Sequence, residues 1–383
     1  MSKPTIIRIT TVPQSLAGLL KGQLRFMNQY FDVIGISSPG DRLEQIKEQE
    51  GIEVVALAMT RTISPLKDLM ALWKLVKVFK CIKPQIVHTH TPKAGTIGMV
   101  AALLAGVPIR LHTVAGLPLM EATGLKRLLL DTVEKLTYAS ATRVYPNSNG
   151  LSQFIVNKKY CKKNKIKVIG NGSSNGIDTG YFSLERIEKE ELAVLKTKYK
   201  LEEMNIVFCF VGRLVSDKGI NELVAAFLRI YKIDPNARLL LVGPFEKDLD
   251  RLSDETEANI FNHPGIIWTD YQRDVRPFLA LSDILTFPSY REGFPNVVMQ
   301  AGAMNLPCIV SDINGCNEII SEGVNGLVIP PKNSDALYNA MKYLLMDKMC
   351  RKELAANARQ NIVDKYDRQY VWDQLLTEYQ SVT

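Results

Sequence analysis

Two series of short, β-branched runs, separated by longer stretches of helical period, make up most of this chain. The first series is Ile6 to Thr10, Asp32 to Ile36, Val54 to Ala58, Ile86 to His88, Ile109 to His112 and Arg143 to Tyr145. Strands spaced by helix-length segments pair in parallel, so the series predicts an α/β domain with a parallel sheet wrapped by helices. After a lysine-rich and glutamate-rich stretch, Glu185 to Glu203, the pattern restarts. The second series is Ile206 to Val211, Leu239 to Gly243, Ile266 to Trp268, Ile284 to Pro288, Cys308 to Ser311 and Gly326 to Ile329. At 383 residues the chain suits two domains of ~150 to 200 residues each. We expect an N-terminal domain over residues 1–185 and a C-terminal domain over 204–367, with the boundary inside Phe182 to Met204. Two open sheets facing each other leave a cleft, and ligands of such sheets bind at the carboxyl ends of the strands.

Composition narrows the function classes. A hydrophobic fraction of 46% and a charged fraction of 23% are those of a globular protein. Met1 to Ile7 has no basic segment leading into a long apolar one, and the most apolar run, Met99 to Ile109, is interrupted by Gly106 and Pro108. We therefore expect no signal peptide and no membrane span, and a cytoplasmic location. Six scattered cysteines without a C-x-x-C pair fit buried thiols rather than a disulfide framework or a zinc site. The net charge of +7 suits anionic small molecules, acidic membrane surfaces or nucleic acid. No nucleic-acid-binding pattern occurs and aromatic residues are not interleaved with the basic ones, so no nucleic-acid partner is expected.

Two segments carry the chemistry. Ser289 to Met304 has the plan strand, glycine turn, helix. Pro295 suits the first helical position, and the amides around Phe294 to Val297 are then free to hold an anion. Glu292, just ahead of them, either caps the helix or serves sugar hydroxyls and developing positive charge. The second segment, Phe210 to Ile220, places Arg213 and Lys218 on one loop at a strand's carboxyl end. Two cations there suit a pyrophosphate leaving group. The alternative is an ordinary solvated loop in which Asp217 pairs with a neighbour.

Arg213 and Lys218 in G-R-x-x-x-x-K-G, Glu292 in E-G-F-P, D-x-x-G-x-x-E at Asp312, Gly315 and Glu318, and Gly323, Asn325, Gly326 and Pro330 together resemble the retaining GT-B glycosyltransferases of family four. His88 to Gly95, His112-Thr113 and Asn175 to Asp178 extend the resemblance to bacterial capsular and exopolysaccharide members. It implies GT-B architecture, with two Rossmann-like domains facing each other across a cleft and a C-terminal helix, 368–383, packing back on the first. It also implies transfer of a sugar, with retention, from a nucleotide diphosphate sugar of the UDP type to a glycan or polyprenyl diphosphate saccharide in cell-surface polysaccharide synthesis. Arg213 and Lys218 would bind the donor pyrophosphate, while Glu292 with Gly293, Phe294, Pro295, Asn296 and Val297 would hold the donor sugar. His112 would face that sugar from the N-terminal domain; otherwise it is a structural histidine. The family's second acidic residue is here Gln300, at the position that holds the donor ribose. Rival readings are a sugar-nucleotide 2-epimerase of the same fold and a non-catalytic partner subunit.

No D-x-D pair follows a strand, so no metal or other cofactor is expected beyond the donor substrate. His88 and His90 are read as lying on opposite strand faces, against a joint metal site. The loop Thr11 to Gly22 should approach the reaction centre through Ser15 and Gly18, and His90 and Lys93 join it as acceptor or cleft residues. Leu16, Leu19, Leu20, Lys21, Arg25 and Phe26, with Lys67, Lys74 and Lys77 near Trp73, could rest the first domain on the anionic inner face of a membrane. Alternatively they are a solvated helix face and a core-facing leucine set.

Overall fold

The computed structural model describes residues 3–62, 64–117, 119, 123–246 and 250–383. Among these residues every β-branched run becomes a strand: β1 (Thr5–Ile9), β2 (Asp32–Ser37), β3 (Glu53–Ala56), β4 (Ile86–Thr89), β5 (Ile109–Val114) and β6 (Arg143–Pro146), then β7 (Ile206–Val211), β8 (Ala237–Val242), β9 (Ile266–Trp268), β10 (Ile284–Phe287), β11 (Cys308–Ser311) and β12 (Gly326–Ile329). The first six form a sheet in the order β3-β2-β1-β4-β5-β6, and the last six one in the order β12-β11-β10-β7-β8-β9. Every pairing is parallel. Counted from its own first strand, each sheet has the same doubly wound order, with helices on both faces.

The chain divides into two units, Met1–Gly176 with Gln369–Thr383, and Ile177–Arg368. The crossing lies earlier than the expected boundary. Ile177 N donates to Tyr366 O at 2.8 Å, and Arg359 ties Thr179 O and Phe182 O to the second unit at 3.0 and 2.9 Å. The charged stretch that suggested a boundary contains the helix Lys189–Tyr199, whose Leu192, Leu195 and Tyr199 pack on the second core. High charge there marks a solvated helix face rather than a linker.

Strand alternation divides the first unit's interior. Ile7 and Ile9 face a core built with the helices Pro65–Ile82 and Pro92–Leu104, while Ile6 faces the other side, with Leu16, Leu20 and Leu24. Thr11 to Gly22 is largely helical, Pro13–Leu19, with Gln23–Met27 following. Leu16 and Leu20 are fully buried, so of the two readings of this segment these leucines follow the core-facing one. The closing helix Arg368–Val382 covers the same face: Tyr379 OH lies 2.6 Å from His88 Nδ1, Tyr145 OH donates to Glu378 Oε1 at 3.0 Å, and Trp372 Nε1 donates to Asn175 Oδ1 at 2.7 Å. Among the described residues no helix is long and apolar enough to cross a membrane.

Candidate active site

In a doubly wound sheet the strand order reverses beside the first strand, and the loops leaving that point diverge into a crevice. In the second sheet the reversal lies between β7 and β10. The loops leaving them are Gly212 to Gly219 and Pro288 to Pro295, the two segments singled out in the sequence. They are bound together tightly. Tyr290 N donates to Asp217 O at 2.8 Å, and Arg291 Nη2 to the Asp217 carboxylate at 2.8 Å. Gly219, at φ 71°, lies so close that a β-carbon there would sit 2.1 Å from Pro288 O. Only glycine allows both the turn and the approach.

That closeness joins the two principal charges. Lys218 ends a 3-10 turn, Ser216–Lys218, and its ammonium pairs with the Glu292 carboxylate, with 15% and 16% of the two side chains exposed. Lys218 Nζ also stands 5.9 Å from the centre of the Phe287 ring. A third loop, after β11, fixes the acidic side: Asn314 Nδ2 donates to Gly293 O at 2.6 Å and to Glu292 O at 3.2 Å. Glu292 does not cap the helix. The cap residue is Pro295, with ψ 113°, and the helix runs Asn296–Ala303, so Pro295 stands one position before the first helical residue expected of it. No acidic residue occupies the first turn, and its opening amides have no carbonyl partner within the helix. Asn296 is exposed and Val297 half-buried, so this helix end is open to an anion. Phe294 is buried against Tyr366, ring centres 5.4 Å apart, and offers a ligand its backbone alone.

Residues 193–361 match the family model of glycosyl transferases group 1, and residues 30–172 match the glycosyl transferase 4-like domain. The capsular polysaccharide biosynthesis glycosyltransferase CapM of Staphylococcus aureus is 33% identical over 381 residues, spanning 99% of this chain and 97% of that one. The chain belongs to the group 1 glycosyltransferases. An Escherichia coli relative, UDP-Gal:α-D-GlcNAc-diphosphoundecaprenol α-1,3-galactosyltransferase, is 31% identical over 89% of this chain and 86% of its own. The Anabaena protein HepE, solved with UDP, superposes with a TM-score of 0.80 at 18% identity, over 99% of this chain and 100% of that one. The fold is GT-B.

In this glycosyltransferase Arg213 stands apart from the Lys218 pair. Its guanidinium meets Glu246 Oε2 at 2.8 Å, drawn toward the loop after β8, where Leu214 N donates to Pro244 O at 2.8 Å. Gln300 is half-buried, one turn beyond Asn296 on the same helix face.

The first unit holds the remaining candidates, and here one expectation is overturned. His88 and His90 share a face, because residues two apart on extended backbone point the same way. Their ring centres are 4.2 Å apart. His90 Nε2 accepts from Arg8 Nε at 2.9 Å, and Arg8 Nη2 donates to Gln23 Oε1 at 2.6 Å. Burial holds both histidines well below their ordinary pKa, so they are neutral; Arg8 is the next cause at His88, and His88 and then Arg8 at His90. His112 is also buried. Its Nδ1 lies 2.8 Å from Thr89 Oγ1, its ring fills the space a side chain at Gly95 would need, and burial lowers its pKa to about 4. Ser15 and Lys93 line one groove, with Lys93 paired to Asp68, while Gly18 is exposed with open space around its α-carbon.

Asn314, Glu246 and Arg8 escaped the sequence reading. Asn314 lies inside the D-x-x-G-x-x-E segment that was read for its acids and glycine. Glu246 and Arg8 have no local signal, since their partners are distant in sequence.

Proposed function

We propose that this glycosyltransferase moves a sugar, with retention, from a UDP-sugar to a saccharide carried on a polyprenyl diphosphate, in cell-surface polysaccharide assembly at the inner face of a membrane. The observation that carries the reading is the Lys218–Glu292 pair at the reversal point of the second sheet, beside an open helix end. Each charge holds the other in place. With donor bound, Lys218 and the first-turn amides would meet the diphosphate, Arg213 would exchange Glu246 for a phosphate oxygen, and Glu292 would accept hydrogen bonds from the sugar hydroxyls. As the bond from the anomeric carbon to the diphosphate oxygen breaks, these cations and amides stabilise the charge left on the diphosphate. The acceptor oxygen bonds to the same face of the sugar, and its proton passes to the departing phosphate oxygen.

The E. coli relative's name specifies a UDP-sugar and a diphosphoundecaprenol-linked acceptor, which supports both substrate classes. With Lys218 and Arg213 neutralising the diphosphate, the proposed mechanism calls for no metal ion. The test is transfer from an α-linked UDP-sugar to a polyprenyl diphosphate saccharide in excess chelator, with anomeric coupling constants read on the product. An α-linked product formed without metal is expected. A β-linkage, or activity restored only by a divalent cation, overturns the mechanism.

A further inference from the structure

The first sheet reverses between β1 and β4. Thr91 Oγ1 joins the two loops there, accepting from Thr11 N at 3.1 Å and lying 2.7 Å from Thr11 Oγ1. From this point a groove of about 690 Å³ runs outward among the helices Pro65–Ile82, Pro92–Leu104 and Gly124–Ser140. Its volume lies within the range of small-molecule sites.

The groove's lining is amphiphilic. Its lining carries the hydroxyls of Thr11, Ser15 and Thr91, the Lys93–Asp68 ion pair, Arg61 and the amino end of the Pro92–Leu104 helix, which has no acidic residue in its first turn. Its body is walled by Leu69, Leu72, Ile97, Val100, Leu130 and Val133. Glu134, buried in that wall, has its carboxyl pushed up by burial, as an apolar surrounding requires. Apolar side chains are also exposed at and near the starts of two of these helices: Leu66 is 79% and Leu125 86% exposed, with Trp73 and Leu128 also open. Lys67, Lys74 and Lys77 stand exposed beside them.

A sugar has no use for a long leucine-walled channel, and a lipid tail alone has none for two cations and a helix end at its head. A diphosphate attached to an apolar chain satisfies both ends. We propose that this groove holds the polyprenyl diphosphate of the acceptor, with the first isoprene units along Leu72, Ile97, Val100 and Val133 and the diphosphate against Lys93, Arg61 and the Pro92–Leu104 amino end. The assignment rests on the acceptor class named above and adds where that acceptor is gripped. Lys93 pairs with Asp68, whereas Arg61 has no ion-pair partner among the described residues and is exposed. A diphosphate therefore meets one cation already positioned and another able to close on it.

The test compares transfer to a long-chain polyprenyl diphosphate saccharide and to an analogue carrying one isoprene unit, using the full-length protein. The wild type should show a KM about tenfold or more lower for the long chain, since two buried methylenes already supply that factor. Val100→Trp, which fills the groove, and Leu129→Gln, which makes its half-exposed edge polar, should each erase most of this difference. A diazirine placed in the second isoprene unit should label peptides from residues 65–82, 92–104 or 124–140. Equal KM values for the two acceptors in the wild type, or labelling confined elsewhere, overturn the groove. Variants that lose binding to anionic vesicles but keep chain-length discrimination show a membrane-resting face instead, which also overturns it. If neither lipid acceptor receives sugar while a soluble glycan does, the acceptor class itself is wrong, and the groove assignment falls with it.

Discussion

The two sheets share one strand order, yet their reversal points carry opposite chemistry. At the second, between β7 and β10, ion pairs dominate: Lys218 with Glu292, Asp217 with Arg291 and, nearby, Arg213 with Glu246. At the first, between β1 and β4, threonine hydroxyls join the loops, neutral histidines lie beneath them, and an apolar groove leads away. The topology places a crevice in both, and the loop residues decide what each can hold. Charge dominates the one, whereas the other joins a single Lys93–Asp68 pair to a broad apolar wall.

Acid should break the symmetry most strongly. His88, His90 and His112, three of the chain's four histidines, are buried in the first unit with lowered pKa values. In the unfolded chain they titrate near the ordinary 6.5, so as pH falls through 6.5 the unfolded state takes up protons first. Stability present above pH 6.5 is then lost, and His112 stops contributing to the loss near its folded pKa of about 4. That one group accounts for about 3 kcal/mol between the two limits, and the other two add to it. Peptide-resolved hydrogen exchange at pH 7.5 and 5 should show the first unit, with residues 369–383, opening well before the second. Equal acceleration in both units would remove the distinction.

A substitution at the second reversal point should act on turnover rather than on stability. Lys218→Ala removes one preorganised cation from the leaving group, and kcat should fall by about 10² to 10³. Full turnover by a variant shown by its melting curve to be folded would return the loop to a merely structural role.

The smallest effect concerns the ribose. Gln300 makes weaker hydrogen bonds to hydroxyls than a carboxylate would, by roughly 1 kcal/mol. Gln300→Glu should lower the donor's KM by at most about tenfold with kcat unchanged, and Gln300→Ala should raise it, because ribose contacts are the same in ground and transition states. Donor affinity indifferent to both changes would make Gln300 a packing residue and confine the donor's grip to the charged pair.

Periodicity is local, and what depended on it was legible. All twelve strand runs, the glycine-turn segments and the helix after Glu292 could be read from residue spacing, because a strand's faces and a helix's start are set by neighbours a few positions away. The motifs reached further, to the glycosyltransferase family itself. Domain crossing was misread because charge reports exposure to water, and the Lys189–Tyr199 helix is exposed on one side while packed on the other. The leucines of Pro13–Leu19 were ambiguous for the complementary reason: an apolar stripe looks the same whether it meets a core or a membrane.

What only the tertiary structure decided was partnership. Lys218 and Glu292 are separated by 74 residues and meet because β7 and β10 are neighbours in the sheet. Arg8 and His90 are separated by 82 and meet because β1 and β4 are. The amino-acid sequence alone determined two α/β units with parallel sheets and the residue types at their loops. Which charges neutralise one another, which histidines are stripped of water and which helices part to leave a groove depend on strand order and close packing, and these emerge only when distant segments fold together.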